Sequence, residues 1–200
     1  MAAAAAGDLA VRARPMPLLD RDDCVLVVVD AQPGFLAAAA GSAVERMAWL
    51  VAVAARLHIP ILVTEEEPER NGRTDERVAR HLPAATPVFT KPTFGLAGTP
   101  EILDALRAAA RSTVVVVGCE TDVCVAQSAI GVREQGFTCV VVEDATFSPG
   151  ELHERGLARL ADEGVGRNHA KGVAYEWLRT VEAARAVLGD ASLPPAPFLS

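Results

Sequence analysis

Two hundred residues with a net charge of −7, half of them hydrophobic, have the composition of a single globular domain. A protein that follows nucleic-acid phosphates or lies on anionic lipid is expected to carry a basic patch, and this sequence contains no run of Lys or Arg. The composition therefore favours a small-molecule partner over a nucleic acid or a membrane.

Both ends of the chain have the composition of tails, and one domain is predicted over residues 20–190. Residues 1–19 open on a low-complexity run without the long apolar core of a secretory signal, so we expect a disordered tail, with a transit peptide as the alternative. The proline-rich residues 191–200 are predicted to form a second tail. No stretch has the ~20 apolar residues that span a bilayer. The four cysteines have no C-x-x-C spacing, which makes a reducing, cytoplasmic compartment the expectation.

Predicted strands and helices alternate along the chain. The apolar run at 24–30 is typical of a parallel strand buried on both faces, and the helix at 42–57 follows from the spacing of its apolar residues. In chain order the predicted elements are strand 24–30, helix 42–57, strand 59–64, loop 65–74, helix 75–81, strand 86–90, helix 100–110, strand 113–118, helix 122–135, strand 138–142, helix 149–162 after a capping box at 148–151, strand 164–167 and helix 171–188.

This alternation predicts an α/β protein with a doubly wound (Rossmann-like) three-layer α/β/α fold and a mostly parallel six-stranded sheet. In such sheets ligands bind outside the carboxyl ends of the strands. Asp30 closes the first predicted strand, Lys91 follows the third and Cys124 follows the fourth. These residues are therefore the candidates for chemistry.

Cys124 is predicted to lie in the first turn of a helix capped by Thr121 or Asp122. The positive end of the helix dipole and the free N–H groups there favour a thiolate, and the same N–H groups could bind an oxyanion. The alternative is an inert, buried cysteine, since free Cys is among the most buried residue types.

With Cys124 as the nucleophile, Asp30 and Lys91 are candidates for the general base and the orienting charge of a catalytic triad. Lys91 held near the thiol would lower the thiol pKa, whereas the alternative is a solvated loop lysine. Asp30 could take the thiol proton as a general base, or it could simply accept hydrogen bonds after its strand. Composition and periodicity leave these alternatives open.

Several sequence blocks resemble the signature blocks of isochorismatase-like hydrolases. The blocks are V-V-V-D-A-Q at 27–32, V-T-E-E-E-P at 63–68, K-P-T-F at 91–94, V-G-C-E-T-D-V-C-V at 117–125 and E-Q-G-F-T-C-V-V-V-E-D-A-T-F-S at 134–148. Their order and spacing agree with that family over most of the chain, and the G-x-x-T-D-x-C-V pattern is the most specific of them.

The resemblance implies roles for particular residues. Asp30, Lys91 and Cys124 match the family's catalytic Asp, Lys and Cys. The family also has a cis peptide before the position of Glu120, whose N–H, with that of Cys124, forms an oxyanion hole. Two aromatic residues near the triad, Phe35 and Phe94, are candidate pocket walls, with core packing as an equally good interpretation.

Departures from family members narrow the expected activity. Nicotinamidases carry an Asp-x-His…His metal motif after the second strand, but residues 65–70 are E-E-E-P-E-R, so neither a catalytic metal nor any other cofactor is predicted. The acids could hold a hard cation, although solvated acids are the commoner outcome. Isochorismatases that cleave the vinyl ether do not use a cysteine. The resemblance therefore implies a metal-independent hydrolase that cleaves a small amide or related carbonyl compound through a cysteine thioester.

Assembly and two rival functions are further expectations. Relatives usually form dimers or larger assemblies, so a homo-oligomer (dimer or tetramer) is expected, and the apolar residues of the last helix are compatible with it: Val173, Trp177, Val181 and Val187. One rival function is a non-catalytic binding or scaffolding subunit. The other is a phospho-acceptor receiver domain, suggested by Asp30 and Lys91-Pro92, but two further strands follow Lys91 where a receiver has its Lys-Pro last.

Overall fold

A fully buried aliphatic strand lies in the middle of the sheet in the computed structural model, which describes residues 17–36 and 41–198. The six strands are β1 (Cys24–Val29), β2 (Ile61–Glu65), β3 (Val88–Thr90), β4 (Thr113–Cys119), β5 (Thr138–Phe147) and β6 (Gly166–Asn168). Their order is β3-β2-β1-β4-β5-β6, and every pairing is parallel. The predicted parallel sheet is confirmed.

Helices connect successive strands. They are α1 (Gly41–Arg56), α2 (Pro68–Asn71), α3 (Glu76–Ala79), α4 (Pro100–Ala108), α5 (Ala126–Glu134), α6 (Leu152–Asp162), α7 (Ala170–Leu178) and α8 (Val181–Leu188). Short 3-10 turns lie at Arg21–Asp23 and Leu96–Gly98, and one turn of π-helix, called here the π turn, spans Thr121–Val125. Within the described chain, no helix has both the length and the apolar character needed to cross a bilayer.

Helices cover both faces of the sheet. Successive side chains of a strand point to opposite faces, so Leu26 and Val28 pack in the core covered by α1 and α7. Val25 and Val27 pack on the other side, in the core covered by α4, α5 and α6. The three-layer, doubly wound arrangement predicted from the sequence is confirmed.

The boundaries of some elements differ from prediction. Segment 65–74 is not wholly a loop, because Pro68 starts the short helix α2, a position where its missing N–H costs nothing. The single helix predicted over 171–188 is two helices, since Arg179 has a φ of 63° and Thr180 Oγ1 accepts a hydrogen bond from the Ala183 N–H at the start of α8. Strand β5 continues five residues beyond the predicted end at 142, past a register shift opposite β4.

The structure describes only part of each predicted tail. Residues 1–16 and 199–200 lie outside the described residues. The described part of the C-terminal segment has no helix or strand, but Phe198 packs on α1, with its ring centroid 5.1 Å from that of Trp49. The Arg46 guanidinium lies 5.7 Å from the same Phe198 ring. This segment therefore adds to the core covered by α1.

Two close approaches fix the turn that follows β4. Gly118 has a φ of 126°, and a Cβ there would collide with the carbonyl oxygen of Val29 in β1. Gly156 brings α6 against the π turn, where a Cβ would lie 2.8 Å from Cα of Asp122 and 2.9 Å from the carbonyl carbon of Thr121. Both contacts are with backbone, which cannot move aside as a flexible side chain can.

Gly156→Ala should therefore lower the free energy of unfolding by about 1–3 kcal/mol, because the new methyl group overpacks the contact between α6 and the π turn. Urea unfolding of the variant beside wild type measures this. Gly41→Ala is the matched control, since a Cβ at Gly41 meets no described atom within 4 Å. Equal stability of Gly156→Ala and wild type would show that α6 does not hold the π turn.

Candidate active site

The carboxyl ends of four neighbouring strands meet at one edge of the sheet. Asp30 directly follows β1, Glu66 follows β2 and Lys91 follows β3. The π turn, which carries Cys124, follows β4 after a single residue. The sequence placed Asp30, Lys91 and Cys124 at these strand ends, and the structure brings them together. It adds Glu66, which the sequence showed only as one of the acids of residues 65–70.

Asp30 and Lys91 form a fully buried ion pair. The distance from Lys91 Nζ to Asp30 Oδ2 is 2.6 Å, and both side chains are 0% exposed. The other carboxylate oxygen accepts a hydrogen bond from Thr64 Oγ1 at 2.8 Å, and the ammonium donates to the Thr93 carbonyl at 3.0 Å. Lys91 is therefore not the solvated loop lysine of the alternative interpretation.

The electrostatics of Asp30 follow from this burial. Loss of solvent raises the pKa of the Asp30 carboxyl, and the charge of Lys91 and its hydrogen bonds pull in the opposite direction. The net direction is upward, so Asp30 binds a proton more readily than an exposed aspartate. That is the property required of a carboxylate that receives a proton from a neighbouring group.

The Cys124 thiol lies between two carboxylates. Its Sγ donates to Glu66 Oε2 at 3.3 Å, and the possible ligand atoms of Asp30, Glu66 and Cys124 all lie within 4.8 Å of one another. Burial and the charge of Asp30 raise the pKa of the Cys124 thiol, while Lys91 lowers it by less. The direction of this shift is opposite to the one expected from the helix N terminus alone, because burial and the nearby carboxylates favour the neutral thiol.

The side chains around the π turn differ from the predicted capping. Glu120 occupies the N-cap position and makes no side-chain cap. Thr121 Oγ1 instead shares a hydrogen bond with His153 Nδ1 at 2.8 Å, and the Asp122 carboxylate accepts from Ser148 Oγ at 2.6 Å. These bonds tie the turn to α6 and to the end of β5, so His153 and Ser148 hold the turn from outside it.

The peptide bond between Cys119 and Glu120 is cis, as the resemblance implies. The backbone hydrogen bonds found in the described turns and loops leave the N–H of Glu120 without an acceptor. Cys119 itself is completely buried in the core, and burial raises the pKa of its thiol. Cys119 therefore packs in the core and not in the cleft.

Glu66 is held in place through its backbone by a buried amide. The Glu66 N–H donates to Gln32 Oε1 at 2.7 Å, and Gln32 Nε2 donates to the Glu66 carbonyl at 3.0 Å. Asn71 Nδ2 adds a second hydrogen bond to that carbonyl at 2.9 Å. The signal available in the sequence was position, because Glu66 directly follows the strand next to β1.

The preceding glutamate has a different environment. Glu65 is 2% exposed, and its carboxylate accepts hydrogen bonds from Arg73, at 3.0 Å, and from the N–H and hydroxyl of Thr74, both at 2.8 Å. Glu65 therefore anchors the loop that follows α2, and Glu66 alone of these two adjacent acids contacts the thiol.

A cleft of about 750 Å³ opens above this group, a size that suits a small molecule. It is lined by Glu66, Glu67, Glu69, Arg70, Thr90, Lys91, Pro92, Thr93 and Phe94. Phe94 is 51% exposed on the cleft wall, whereas Phe35 is half-buried and packs against the core. Core packing, the alternative given for Phe35, is the arrangement found.

Among the described residues, Asp30, Glu66 and Cys124 form a group that could ligate a metal ion. The ammonium of Lys91 lies 2.6 Å from Asp30 and 4.0 Å from Glu66. A positive charge thus already occupies the space between the carboxylates, and a metal ion beside it would be repelled. The donor set fits a lysine-neutralised site better than a metal centre.

Comparison with known proteins identifies relatives by sequence. A model of the isochorismatase domain matches residues 24–167. Isochorismatase domain-containing protein 1 from Danio rerio is 35% identical over 111 residues, which are 54% of this chain and 38% of that protein, so the chain spans well under half of that relative. The probable hydrolase YcaC from Escherichia coli is 27% identical over 180 residues, 84% of this chain and 86% of that protein.

Solved structures share the fold. The YcaC gene product from Escherichia coli, described as an octameric hydrolase of unknown specificity, superimposes with a TM-score of 0.82 at 24% identity, over 88% of this chain and 89% of that chain. YcaC from Pseudomonas aeruginosa, with hexane-2,5-diol and covalent acrylamide, has a TM-score of 0.79 at 24% identity, over 88% of this chain and 92% of that chain.

Lys91→Met should destabilise the protein by about 3–5 kcal/mol at about pH 8, because it leaves the buried Asp30 carboxylate without its partner. Without Lys91 the pKa of folded Asp30 rises further above its unfolded value. A carboxyl whose pKa is higher in the folded than in the unfolded protein lowers the free energy of unfolding as pH rises between those two pKa values. The difference in stability between Lys91→Met and wild type should therefore be smaller at about pH 5 than at about pH 8. Urea unfolding at both pH values measures it.

The double variant Asp30→Asn/Lys91→Met is the control for that experiment. It removes both charges, so it should recover part of the lost stability and show little of the pH dependence. A Lys91→Met deficit that does not change with pH would contradict the buried-pair interpretation.

The rate at which Cys124 is alkylated should rise with pH. It should not level off at any pH below about 8.5, the pKa of an ordinary thiol. The reason is that burial and Asp30 raise the pKa of this thiol. Peptide mass spectrometry after timed exposure to acrylamide measures the rate, with glutathione as the reference thiol. A plateau on the acid side of glutathione would show that the thiolate is already present.

Proposed function

The chain belongs to the isochorismatase family of hydrolases, and from that premise we propose that it is a metal-independent hydrolase cleaving a small amide or related carbonyl compound through a cysteine thioester. The observation that carries the proposal is the meeting of Asp30, Lys91 and Cys124 beside a cleft whose lining includes Lys91 and Glu66. These residues come from separate strand ends and supply a base, a fixed positive charge and a nucleophile.

In the proposed first half-reaction, the Asp30 carboxylate takes the proton from Cys124 as Sγ bonds to the carbonyl carbon. The carbonyl π electrons move to oxygen, and the N–H groups of Glu120 and Cys124 hold the resulting oxyanion. Collapse of this intermediate breaks the C–N bond, and the leaving amine takes the proton from Asp30. The acyl group is then a thioester on Cys124, and Lys91 stays protonated throughout.

In the second half-reaction, Asp30 takes a proton from water as the water oxygen attacks the thioester carbonyl. The C–S bond breaks, the acid product leaves, and the Cys124 sulfur recovers the proton from Asp30. Each step moves one proton to or from Asp30, whose carboxylate lies within 4.8 Å of the Cys124 thiol, so the scheme requires no cofactor. This use of one carboxylate as base and then acid is ordinary general acid–base catalysis.

The raised pKa values suit this exchange of a proton. Both the Asp30 carboxyl and the Cys124 thiol have a pKa above the ordinary value. The proton that passes from Cys124 to Asp30 therefore moves between two groups whose pKa values are both raised. The ammonium of Lys91 remains beside them and offsets the negative charge as it moves from Asp30 to sulfur. Because Asp30 must begin as a carboxylate, turnover should fall as pH falls through its raised pKa.

A non-catalytic binding subunit is the competing function, and one observation favours it. Cys124 is 3% exposed, and its surroundings favour the neutral thiol. A cleft lined by charged residues could bind a small ligand without turning it over. Substitution of Cys124 separates the two functions, since binding alone does not need a nucleophile.

We also propose that the protein is a cytoplasmic homo-oligomer, a dimer or tetramer. The Escherichia coli YcaC structure is octameric, and the cysteines of this chain are free. Of the apolar residues offered from the sequence, Val173, Trp177 and Val187 are buried within the chain. Val181 is 69% exposed, which leaves it, with Tyr175 at 49%, as the candidate contact surface.

Cys124→Ala should lower kcat/KM by ~10⁴-fold or more, because removal of a nucleophile abolishes the covalent route. Asp30→Asn leaves the buried Lys91 charge unpaired, so it should be less stable than wild type, and its folded fraction should lose ~10²–10⁴-fold, the contribution of a general base. Ammonia release from a panel of small amides measures both, and mass spectrometry of quenched wild-type enzyme should detect an acyl group on Cys124.

Cys139→Ala is the matched control for that experiment, since Cys139 is buried in the core on the α4, α5 and α6 side and contributes nothing to the proposed chemistry. It should keep the wild-type kcat/KM. A fully active Cys124→Ala would exclude the thioester mechanism and leave the binding subunit as the better account.

A further inference from the structure

The group around the Cys124 thiol has more negative than positive charge. Asp30 and Glu66 supply two carboxylates, and Lys91 supplies one ammonium, 2.6 Å from the first and 4.0 Å from the second. The shorter contact shows that Lys91 belongs mainly to Asp30. The carboxylate of Glu66 is therefore the one whose charge is poorly matched within the protein.

Nearby arginines do not supply the missing charge. Arg70 lines the cleft, but its guanidinium lies 3.5 Å from Glu67, and its side chain is 81% exposed. Arg73 lies 3.0 Å from Glu65. A further acid, Glu120, lies close enough that Glu66 contributes, after burial and Asp122, to raising its pKa.

This imbalance matters when the nucleophile forms. If Asp30 takes the thiol proton, the sulfur becomes negative 3.3 Å from the Glu66 carboxylate. Two like charges at that distance in a partly buried site repel strongly. A positive group on the substrate, placed beside Glu66, would remove the repulsion and would do so only when substrate is bound.

We propose that Glu66 determines specificity by binding a cationic group of the substrate, an ammonium or guanidinium, next to the scissile carbonyl. The preferred substrates are then small amides or related carbonyl compounds that carry a positive charge within a few bonds of that carbonyl. The inference rests on the proposed function and adds the substrate's charge to it.

Two features of the cleft support this specificity. Glu66 is 19% exposed at its side chain, and its backbone is fixed by Gln32 and Asn71, so the carboxylate is presented to the cleft from a rigid position. Phe94 is 51% exposed on the same cleft wall, where an aromatic ring can attract a cation through its face. A carboxylate and an aromatic ring together form a common environment for an organic cation.

The test compares thiol reagents that differ in charge and needs no known substrate. Methanethiosulfonates transfer an S–R group to Cys124, forming an S–S bond and releasing methanesulfinate. The 2-aminoethyl reagent is cationic, the 2-sulfonatoethyl reagent is anionic and the methyl reagent is neutral. Each rate at Cys124, measured by peptide mass spectrometry, is divided by the rate of the same reagent with glutathione.

The wild-type protein should favour the cationic reagent over the anionic one, and Glu66→Gln should reduce that preference by about tenfold or more. Glu69→Gln removes the same charge from the same cleft without touching the thiol, so it should leave most of the preference intact. The neutral reagent reports any general change in reactivity, because Glu66→Gln also removes a charge that disfavours the thiolate.

The outcomes separate this inference from the proposed function. A preference unchanged in Glu66→Gln, or reduced equally in Glu69→Gln, would overturn the role of Glu66 while leaving Cys124 a competent nucleophile. Loss of the preference in Glu66→Gln alone supports the role. If Cys124→Ala keeps amide hydrolysis, the proposed function fails, whatever the reagents show.

Discussion

The ammonium of Lys91 lies 2.6 Å from the Asp30 carboxylate where both side chains are 0% exposed, and the rest of the site is arranged around that pair. Either charge alone would be costly to bury, so each requires the other. The pair also fixes the relative positions of β1 and β3, which are separated in the sheet by β2. Thr64 in β2 contributes a hydrogen bond to Asp30, so three strands are joined at the buried pair.

Cys124 is positioned next to this ion pair by contacts that hold the π turn. The π turn after β4 is held from outside, through Thr121 to His153 and through Asp122 to Ser148, and Gly156 allows α6 to approach its backbone. The thiol thereby lies close to Asp30 and Glu66, which follow the ends of β1 and β2. Its surroundings keep it neutral, since burial and negative charge both disfavour a thiolate.

In the proposed mechanism, a neutral thiol beside a carboxylate of raised pKa becomes a nucleophile only when its proton moves to that carboxylate. The thiolate would gain from any added positive charge, and Glu66 is the carboxylate whose charge the protein matches least. The same excess of negative charge thus accounts for the raised pKa of the Cys124 thiol and for the proposed preference for a cationic substrate. Protection of the thiol and selection of the substrate would then have one electrostatic cause.

The sequence by itself determined the fold class and the location of the site. Continuous aliphatic runs such as those of β1 and β4 identify parallel strands, because a strand buried on both faces needs no polar alternation. Parallel strands place their carboxyl ends at one edge, so residues such as Asp30, Lys91 and Cys124 could be expected to meet there. The resemblance of short blocks then supplied roles that spacing alone could not.

Only the tertiary structure decided the electrostatics and the finer geometry. The helix dipole near Cys124 is a local property and pointed to a thiolate, whereas the carboxylates that oppose it come from β1 and β2 and act through space. Likewise, Glu65 and Glu66 are equivalent acids in the sequence. In the folded protein Glu65 pairs with Arg73, whereas Glu66 accepts a hydrogen bond from the Cys124 thiol. Charge interactions depend on the burial of each group and on its distance from charged groups in segments far apart in the chain. Local sequence determines neither quantity.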